Sequence, residues 1–195
     1  MAFRIVYLIR NGQYDRDQID PVDEISAPLN ENGRRQAALT AQAIRDLRVG
    51  GIHYSPYQQM LETAETISKA FTGVESAESR LLRQYDSLTH MPGDTLHPDV
   101  VRLLAASQKK QLDQAFTTFF SPNTDETEKQ HVLICHGNII RDLICKAIGV
   151  APESWAHMMI NNCSISSVAI SPTGEKHLAG FNDIKHLPEA LRTEG

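Results

Sequence analysis

Apolar and polar positions along the chain follow two periods. Phe3 to Ile9, FRIVYLI, is a near-continuous apolar run that stops at Arg10-Asn11-Gly12. A run of this length suits a strand buried on both faces of a parallel sheet. His131 to Cys135, HVLIC, has the same character, and Ile52 to Ser55 predicts a short strand after a break at Gly50-Gly51. Other stretches carry helical spacing. Asn30 is suited to cap a helix over 31–47, and Gln58 to Ala70 reads as a second helix. Asp99 to Phe120 sets Val100, Val101, Leu104, Leu112, Ala115, Phe116 and Phe119 mostly three and four apart. From Gly137 onward, Ile139, Ile140, Leu143, Ile144, Ala147 and Ile148 share one face. Ile165–Ile170 and Glu175–Gly180 flank Ser171-Pro172-Thr173-Gly174, a hairpin signal.

Strands alternating with helices predict an α/β sandwich with a mostly parallel sheet. Residues 73–98 have glycine and proline punctuation without a clean period, which predicts an insertion covering a site. Residues 121–129 read as a polar loop. The chain shows neither an internal repeat nor a domain boundary, so residues 1–195 are expected to form a single domain. The tail after about Asp183 is expected to be loosely held.

Composition narrows the classes. The formal net charge is −5 and basic runs are absent, which argues against nucleic acid as a partner. Nowhere does the chain approach the ~20 apolar residues of a membrane span. MAFRIVYLIR leads straight into the first strand and is read as structure instead of a signal peptide. Cys135, Cys145 and Cys163 are odd in number and lack CxxC spacing, so reduced thiols and a cytoplasmic setting are expected.

Candidate chemistry gathers at two strand ends. In open α/β folds, ligands sit beyond the carboxyl ends of the strands. The first strand ends in Arg10-Asn11-Gly12-Gln13 and the late strand in His136-Gly137-Asn138. If these strands are neighbours, Arg10 and His136 meet at one pocket floor. Glycine after each polar residue permits a sharp turn and close approach to a ligand. The helix after Gly137 would aim its N-terminal amides at the same place, which favours an anion.

Four motifs in order carry a resemblance. They are Leu8-Ile9-Arg10-Asn11-Gly12-Gln13, Leu29-Asn30-Glu31-Asn32-Gly33-Arg34-Arg35-Gln36-Ala37, Ser55-Pro56-Tyr57-Gln58-Gln59-Met60-Leu61-Glu62-Thr63-Ala64, and Ile134-Cys135-His136-Gly137-Asn138-Ile139-Ile140-Arg141. Together the chain resembles the histidine phosphatase (phosphoglycerate mutase-like) superfamily over nearly its whole length. Gln13-Tyr14, Leu81-Leu82-Arg83, Cys135-His136 and Asn161-Asn162 ahead of Ser164-Ile165 resemble most the branch of mitochondrial phosphoglycerate-mutase-like serine/threonine protein phosphatases. The resemblance implies a three-layer α/β/α sandwich. It also implies a reaction in which a histidine attacks phosphorus. Two arginines and a second histidine hold the phosphoryl oxygens, and a carboxylic acid protonates the leaving oxygen. That scheme uses neither metal nor cofactor.

Three positions depart from the pattern. The nucleophile position holds Asn11, whose amide nitrogen has no lone pair available for attack. The second arginine position holds Gln59, a neutral amide in place of a bidentate guanidinium. The acid position, after Leu81-Leu82-Arg83, aligns with Gln84, which neither gives nor takes a proton at neutral pH. Arg10, Gly12, Gly33 and His136 remain. The candidate site is therefore His136, Asn11 and Gln84 at the chemical positions. Arg10, Gly12, Gln13, Gln59, Gly137, Asn138, Asn162 and Arg83 are the candidate ligand-binding residues.

Other residues are read more plainly. Cys135 is expected in the core, His53 as structural, and His90 and His97 as surface residues. Trp155 and Met158-Met159 are expected in the core or at an interface. Asn161, Asn162 and Ser164 precede the last hairpin and are candidates for the pocket wall.

The expected function is a pseudophosphatase, a scaffold that binds a small polar or anionic ligand, or a protein partner, without turnover; a homodimer stays open. Two alternatives stand beside it. One is an enzyme in which His136 acts as base on a substrate other than a phosphate ester. The other is a phosphomonoester phosphatase whose nucleophile has been substituted.

Overall fold

The computed structural model describes residues 3–16, 21–84, 97–122 and 130–194. Six strands form one sheet: β1 (Arg4–Arg10), β2 (Val49–Tyr54), β3 (Ser76–Glu78), β4 (Gln130–Cys135), β5 (Ile165–Ile170) and β6 (Lys176–Asp183), in the order β3-β2-β4-β1-β5-β6. β3, β2, β4 and β1 are mutually parallel, and β5 and β6 complete the sheet with antiparallel pairings. Among the described residues the α-helices are α1 (Glu31–Ile44), α2 (Gln58–Ser68), α3 (Pro98–Phe119) and α4 (Gly137–Ile148).

The apolar runs of β1 and β4 are continuous because the sheet is covered on both faces. Val6 and Leu8 of β1, with Leu133 and Cys135 of β4, pack with Ala115 and Phe119 of α3 and with Ile139, Ile140, Leu143 and Ile144 of α4. Ile9, Val132 and Ile134 point the other way, to Ala41 and Ile44 of α1 and Met60, Ala64 and Ile67 of α2. The alternation of side chains along each strand thus feeds two separate cores, and the result is a three-layer α/β/α sandwich. Among the described residues, no helix is long and apolar enough to cross a membrane.

Element boundaries differ from expectation in three places. The sequence predicts a break at Gly50-Gly51, yet β2 runs through both glycines. A Cβ at Gly51 would lie 3.4 Å from the rings of His131 on β4 and His53 on the same strand, an ordinary contact distance, and the register shifts between Val49 and Gly51. The mixed stretch 73–98 contributes the edge strand β3 and a 3-10 turn at Arg80–Leu82. The pattern of SAE is too short to announce a strand. Residues 85–96 of that stretch, His90 included, lie outside the described residues.

The third difference is the tail. It is expected to be loose, but Leu187 and Leu191 are only 1% and 2% exposed, and Leu187 packs with Leu29, Ala37 and Cys163. Its backbone is tied as well: Leu191 O accepts from Gln36 Nε2 at 2.8 Å, and Thr193 O accepts from Asn162 N at 3.0 Å. Two leucines spaced four apart after a proline-containing turn were too sparse a signal to read as burial.

The turn after β1 and the start of α1 are interlocked through glycines. Asn30 caps α1, its Oδ1 accepting from Gly33 N at 2.9 Å. A Cβ at Gly33 would stand 2.1 Å from Gln13 O, and one at Gly12 would stand 2.6 Å from Gly33 O. These are backbone neighbours, so neither clash can be relieved by a rotamer change. Gly33→Ala is expected to cost at least ~1–3 kcal/mol, the usual range for overpacking. That corresponds to a fall in melting temperature of about 2–4 °C per kcal/mol for a chain of this size. An unchanged denaturation midpoint would show that α1 can slide away from the turn.

Candidate functional site

The pairing of β1 with β4 decides where the chemistry sits. The strands run parallel in the register Ile9↔Ile134 and Arg10↔Cys135, so Asn11 and His136 are the next residues out on the same sheet edge. β2 is the other neighbour of β4, and Ser55 follows it at that edge, its N–H donating to Ile134 O. β5 is antiparallel to β1, so its starting end, with Asn161-Asn162 just before it, meets the edge too.

Arg10 is buried. Its guanidinium donates to Ile160 O and lies against the start of α4, where a Cβ at Gly137 would be 3.5 Å from Nε. No partner for Nε exists among the described residues. Burial lowers the Arg10 pKa to about 10, with the Arg141 guanidinium the next cause. Arg10 is therefore still a cation at neutral pH, held beside the positive end of a helix.

His136 is the N-cap residue of α4 and is buried. Its Nε2 is 3.0 Å from Ser55 Oγ, and its ring meets Tyr57 edge to face with centroids 4.6 Å apart. Burial, and then the charge of Arg10, push its pKa down to about 3. The imidazole is neutral at pH 7, an acceptor or donor in a pocket whose positive charge resides on arginine.

The turn 11–13 is wired on every side. Asn11 Nδ2 donates to Gly12 O at 2.9 Å, and Asn11 O accepts from Asn162 Nδ2 at 3.1 Å and from Cys163 N at 3.2 Å. Gly12 N donates to Thr63 Oγ1 at 3.2 Å. Gln13 N donates to Gln36 Oε1 at 2.8 Å, and Gln13 Oε1 accepts from Asn32 Nδ2 at 3.2 Å. Gln59 is fully buried on α2, and neither amide atom of its side chain has a hydrogen-bond partner among the described residues. A buried amide without partners is unusual and costs on the order of 1–3 kcal/mol.

The remaining candidates are less central. Gly137 and Asn138 open α4, and Asn138 Oδ1 accepts from Ile139 N at 2.8 Å. Asn162 is buried under the turn, where its side chain donates to Asn11 O. Arg83 is exposed and Gln84 half-buried, just after the 3-10 turn that rests against β4. The backbone there is held by Gln111 Nε2, which donates to Leu81 O at 3.1 Å and to Arg83 O at 2.7 Å. Among the described residues no hydrogen bond or ion pair joins Arg83 or Gln84 to Arg10 or His136.

Cys135 is fully buried and its thiol pKa is pushed up by burial, as a core residue. Half-buried His53 lies between Phe119 and His131, with ring centroids 5.0 and 5.8 Å away. His97 caps α3 on the surface, Met158 packs on the core, and Met159 is exposed. Sequence reasoning assigned no part to Ser55, Thr63, Gln36 or Thr193. Ser55, Gln36 and Thr63 lie inside the quoted motifs, which was the available signal. Thr193 is in the tail, where none existed.

A histidine that stays neutral in the folded state makes stability depend on pH in a definite direction. The unfolded chain protonates His136 near the ordinary value of about 6.5, whereas the folded chain does so only near 3. The unfolded state thus binds more protons between those values, and its stability relative to the native state grows as pH falls through that window. The unfolding free energy of His136→Gln is expected to vary less between pH 6.5 and 3 than that of the parent protein, as read from urea melts. Equal slopes would place the charged imidazole in the native pocket.

Residues 6–184 match the histidine phosphatase superfamily, branch 1. The mitochondrial serine/threonine-protein phosphatase PGAM5 of Xenopus tropicalis is 34% identical over 193 residues, covering 96% of this chain and 67% of that protein. The human protein of the same name is 29% identical over 192 residues, covering 96% and 65%. The chain spans about two thirds of the length of these relatives. Among solved structures, Bacillus stearothermophilus YhfR superposes with a TM-score of 0.71 at 17% identity, covering 94% of this chain and 98% of that one. A histidine-to-alanine mutant of phosphoserine phosphatase from Entamoeba histolytica, in complex with phosphoserine, superposes with a TM-score of 0.70 at 20% identity, covering 95% and 100%. The two structures establish the fold. The four motifs, the match over residues 6–184 and the identity to the Xenopus relative establish more: the chain belongs to the histidine phosphatase superfamily, branch 1.

Proposed function

We propose that this chain is a superfamily member that holds a small anionic or polar ligand in the family's pocket without forming a phosphohistidine. The observation that carries the reading is Asn11. It follows Arg10 at the end of β1, where the family motif has its nucleophile, and its amide nitrogen is spent on Gly12 O. The amide nitrogen's lone pair is delocalised into the carbonyl and is not available to attack phosphorus. Gln59 and Gln84 add to this, since two further positions of the motif hold neutral amides.

What remains suits binding. Arg10 keeps its charge beside the start of α4, and neutral His136 keeps a hydrogen-bonding face. An anion gains from both the guanidinium and the helix end. The structural relative from Entamoeba gives a parallel: a histidine-to-alanine mutant of that phosphatase is in complex with phosphoserine. With one arginine position and one histidine position replaced, a phosphate dianion loses two charge-assisted hydrogen bonds of ~1.5–3 kcal/mol each. A singly charged ligand loses less.

The reading in which His136 serves as a base on another substrate rests on its bond to Ser55. A pKa near 3 leaves the ring unprotonated but a weak base, so binding without turnover is favoured.

Hydrolysis of para-nitrophenyl phosphate is expected to be negligible, with no phosphoenzyme trapped on acid quench. A product burst equal to the protein concentration, abolished by His136→Ala, would assign His136 the nucleophile's part and end the binding reading.

Restoring the motif separates the alternatives further. Asn11→His alone is expected to give little activity, because a missing transition-state donor costs ~10²–10³ in rate and a missing acid another ~10²–10⁴. The combined variant Asn11→His, Gln59→Arg, Gln84→Glu is expected to be far more active than any single one, once each is shown to melt cooperatively. High activity from Asn11→His alone would favour a phosphatase with a substituted nucleophile.

A further inference from the structure

The buried polar groups below the pocket connect it to a part of the chain that no family motif includes. Two side-chain amides lie between the turn 11–13 and the C-terminal segment. Gln36, fully buried on α1, accepts from Gln13 N through Oε1 at 2.8 Å. Its Nε2 donates to Leu191 O and to Thr193 Oγ1, both at 2.8 Å. Asn162, also buried, donates through Nδ2 to Asn11 O at 3.1 Å, and its Oδ1 accepts from Thr193 Oγ1 at 3.0 Å. Both amides therefore touch the turn at one end and the Thr193 hydroxyl at the other.

The donor and acceptor inventory makes this arrangement directional. A hydroxyl has one proton and can accept as well. Thr193 uses the proton on Asn162 Oδ1 and accepts from Gln36 Nε2. Flipping Gln36 would set acceptor against acceptor at Leu191 O and donor against donor at Gln13 N, and flipping Asn162 would set acceptor against acceptor at Asn11 O. Backbone groups thus dictate the orientation of both amides. The segment is held nearby by other contacts as well: Thr193 O accepts from Asn162 N at 3.0 Å and Asn161 Nδ2 at 3.3 Å, and His186 Nε2 lies 2.9 Å from Thr40 Oγ1.

We propose that residues 184–194 form a strap and that Thr193 is its positioning residue: through Gln36 and Asn162 the docked strap sets the conformation of the turn carrying Asn11, Gly12 and Gln13. Undocking the strap removes the Leu191 and Thr193 partners of both amides together, and the side chains that bond Asn11 O and Gln13 N–H lose what fixes their orientation. Pocket shape is then conditional on a segment distant in sequence, and anything that engages the C-terminal residues changes the ligand site without touching it.

Amide hydrogen exchange tests this in the full chain. Thr193→Val removes the hydroxyl at nearly constant shape and leaves Asn162 Oδ1 without its donor. Exchange at Gln13 N–H is expected to accelerate at least about tenfold, the equivalent of losing one hydrogen bond of about 1.4 kcal/mol. Leu133 N–H in β4 is expected to exchange as in the parent, and Thr193→Ser is expected to restore the Gln13 rate. An unchanged Gln13 rate would overturn the proposal, as would acceleration of Gln13 and Leu133 by the same factor, which is global destabilisation.

A second measurement needs no variant. In the parent protein under low denaturant, Gln13 N–H and Asn162 N–H, the latter bonded to Thr193 O, are expected to exchange through one opening with a common denaturant dependence. Separate openings for the two would equally overturn it.

Discussion

Parallel pairing between β1 and β4 underlies everything at the site. The two strands are distant in sequence, and their alignment at Arg10↔Cys135 puts the following residues, Asn11 and His136, side by side at the carboxyl edge. A slip of one residue would turn every side chain to the opposite face. Val6 and Leu8 would leave one core and Ile9 the other, so the packing of both helical layers fixes the alignment that builds the pocket. The chemistry is a by-product of hydrophobic register.

Much of this was legible in the chain. β1, β4, α1 with its Asn30 cap, α4 and the closing hairpin follow from apolar period and turn residues. So does the convergence of Arg10 and His136, because strand ends with glycine turns are where α/β sheets bind ligands. The less legible parts have physical causes. β2 passes through Gly50-Gly51 because it pairs with β4, a strand distant in sequence, across a register shift between Val49 and Gly51. The docked tail depends on Leu187 finding a cluster formed by Leu29, Ala37 and Cys163, three segments that only the tertiary fold brings together. The roles of Gln36 and Thr193 were hidden for the same reason: a buried amide declares its purpose only through what it faces.

The electrostatics of the pocket follow from this burial. Arg10 and His136 are both buried at the start of a helix, and one positive charge is accommodated there more readily than two. The arginine retains its proton and the histidine gives way. Ser55 and Tyr57 then contact a ring that has no charge, and Arg10 carries its charge close enough to Arg141 for that guanidinium to lower its pKa.

The two glycines that interlock the turn and α1 carry a consequence for how this scaffold can change. At Gly12 and Gly33 the obstacle to any side chain is the backbone of the facing segment, 2.6 and 2.1 Å from a would-be Cβ, and it applies whatever the pocket contains. At Asn11 the side-chain amide donates to Gly12 O within its own turn. Form and reactivity are therefore under separate control in this fold. The close backbone approach that shapes this turn is thus independent of which side chain stands at position 11.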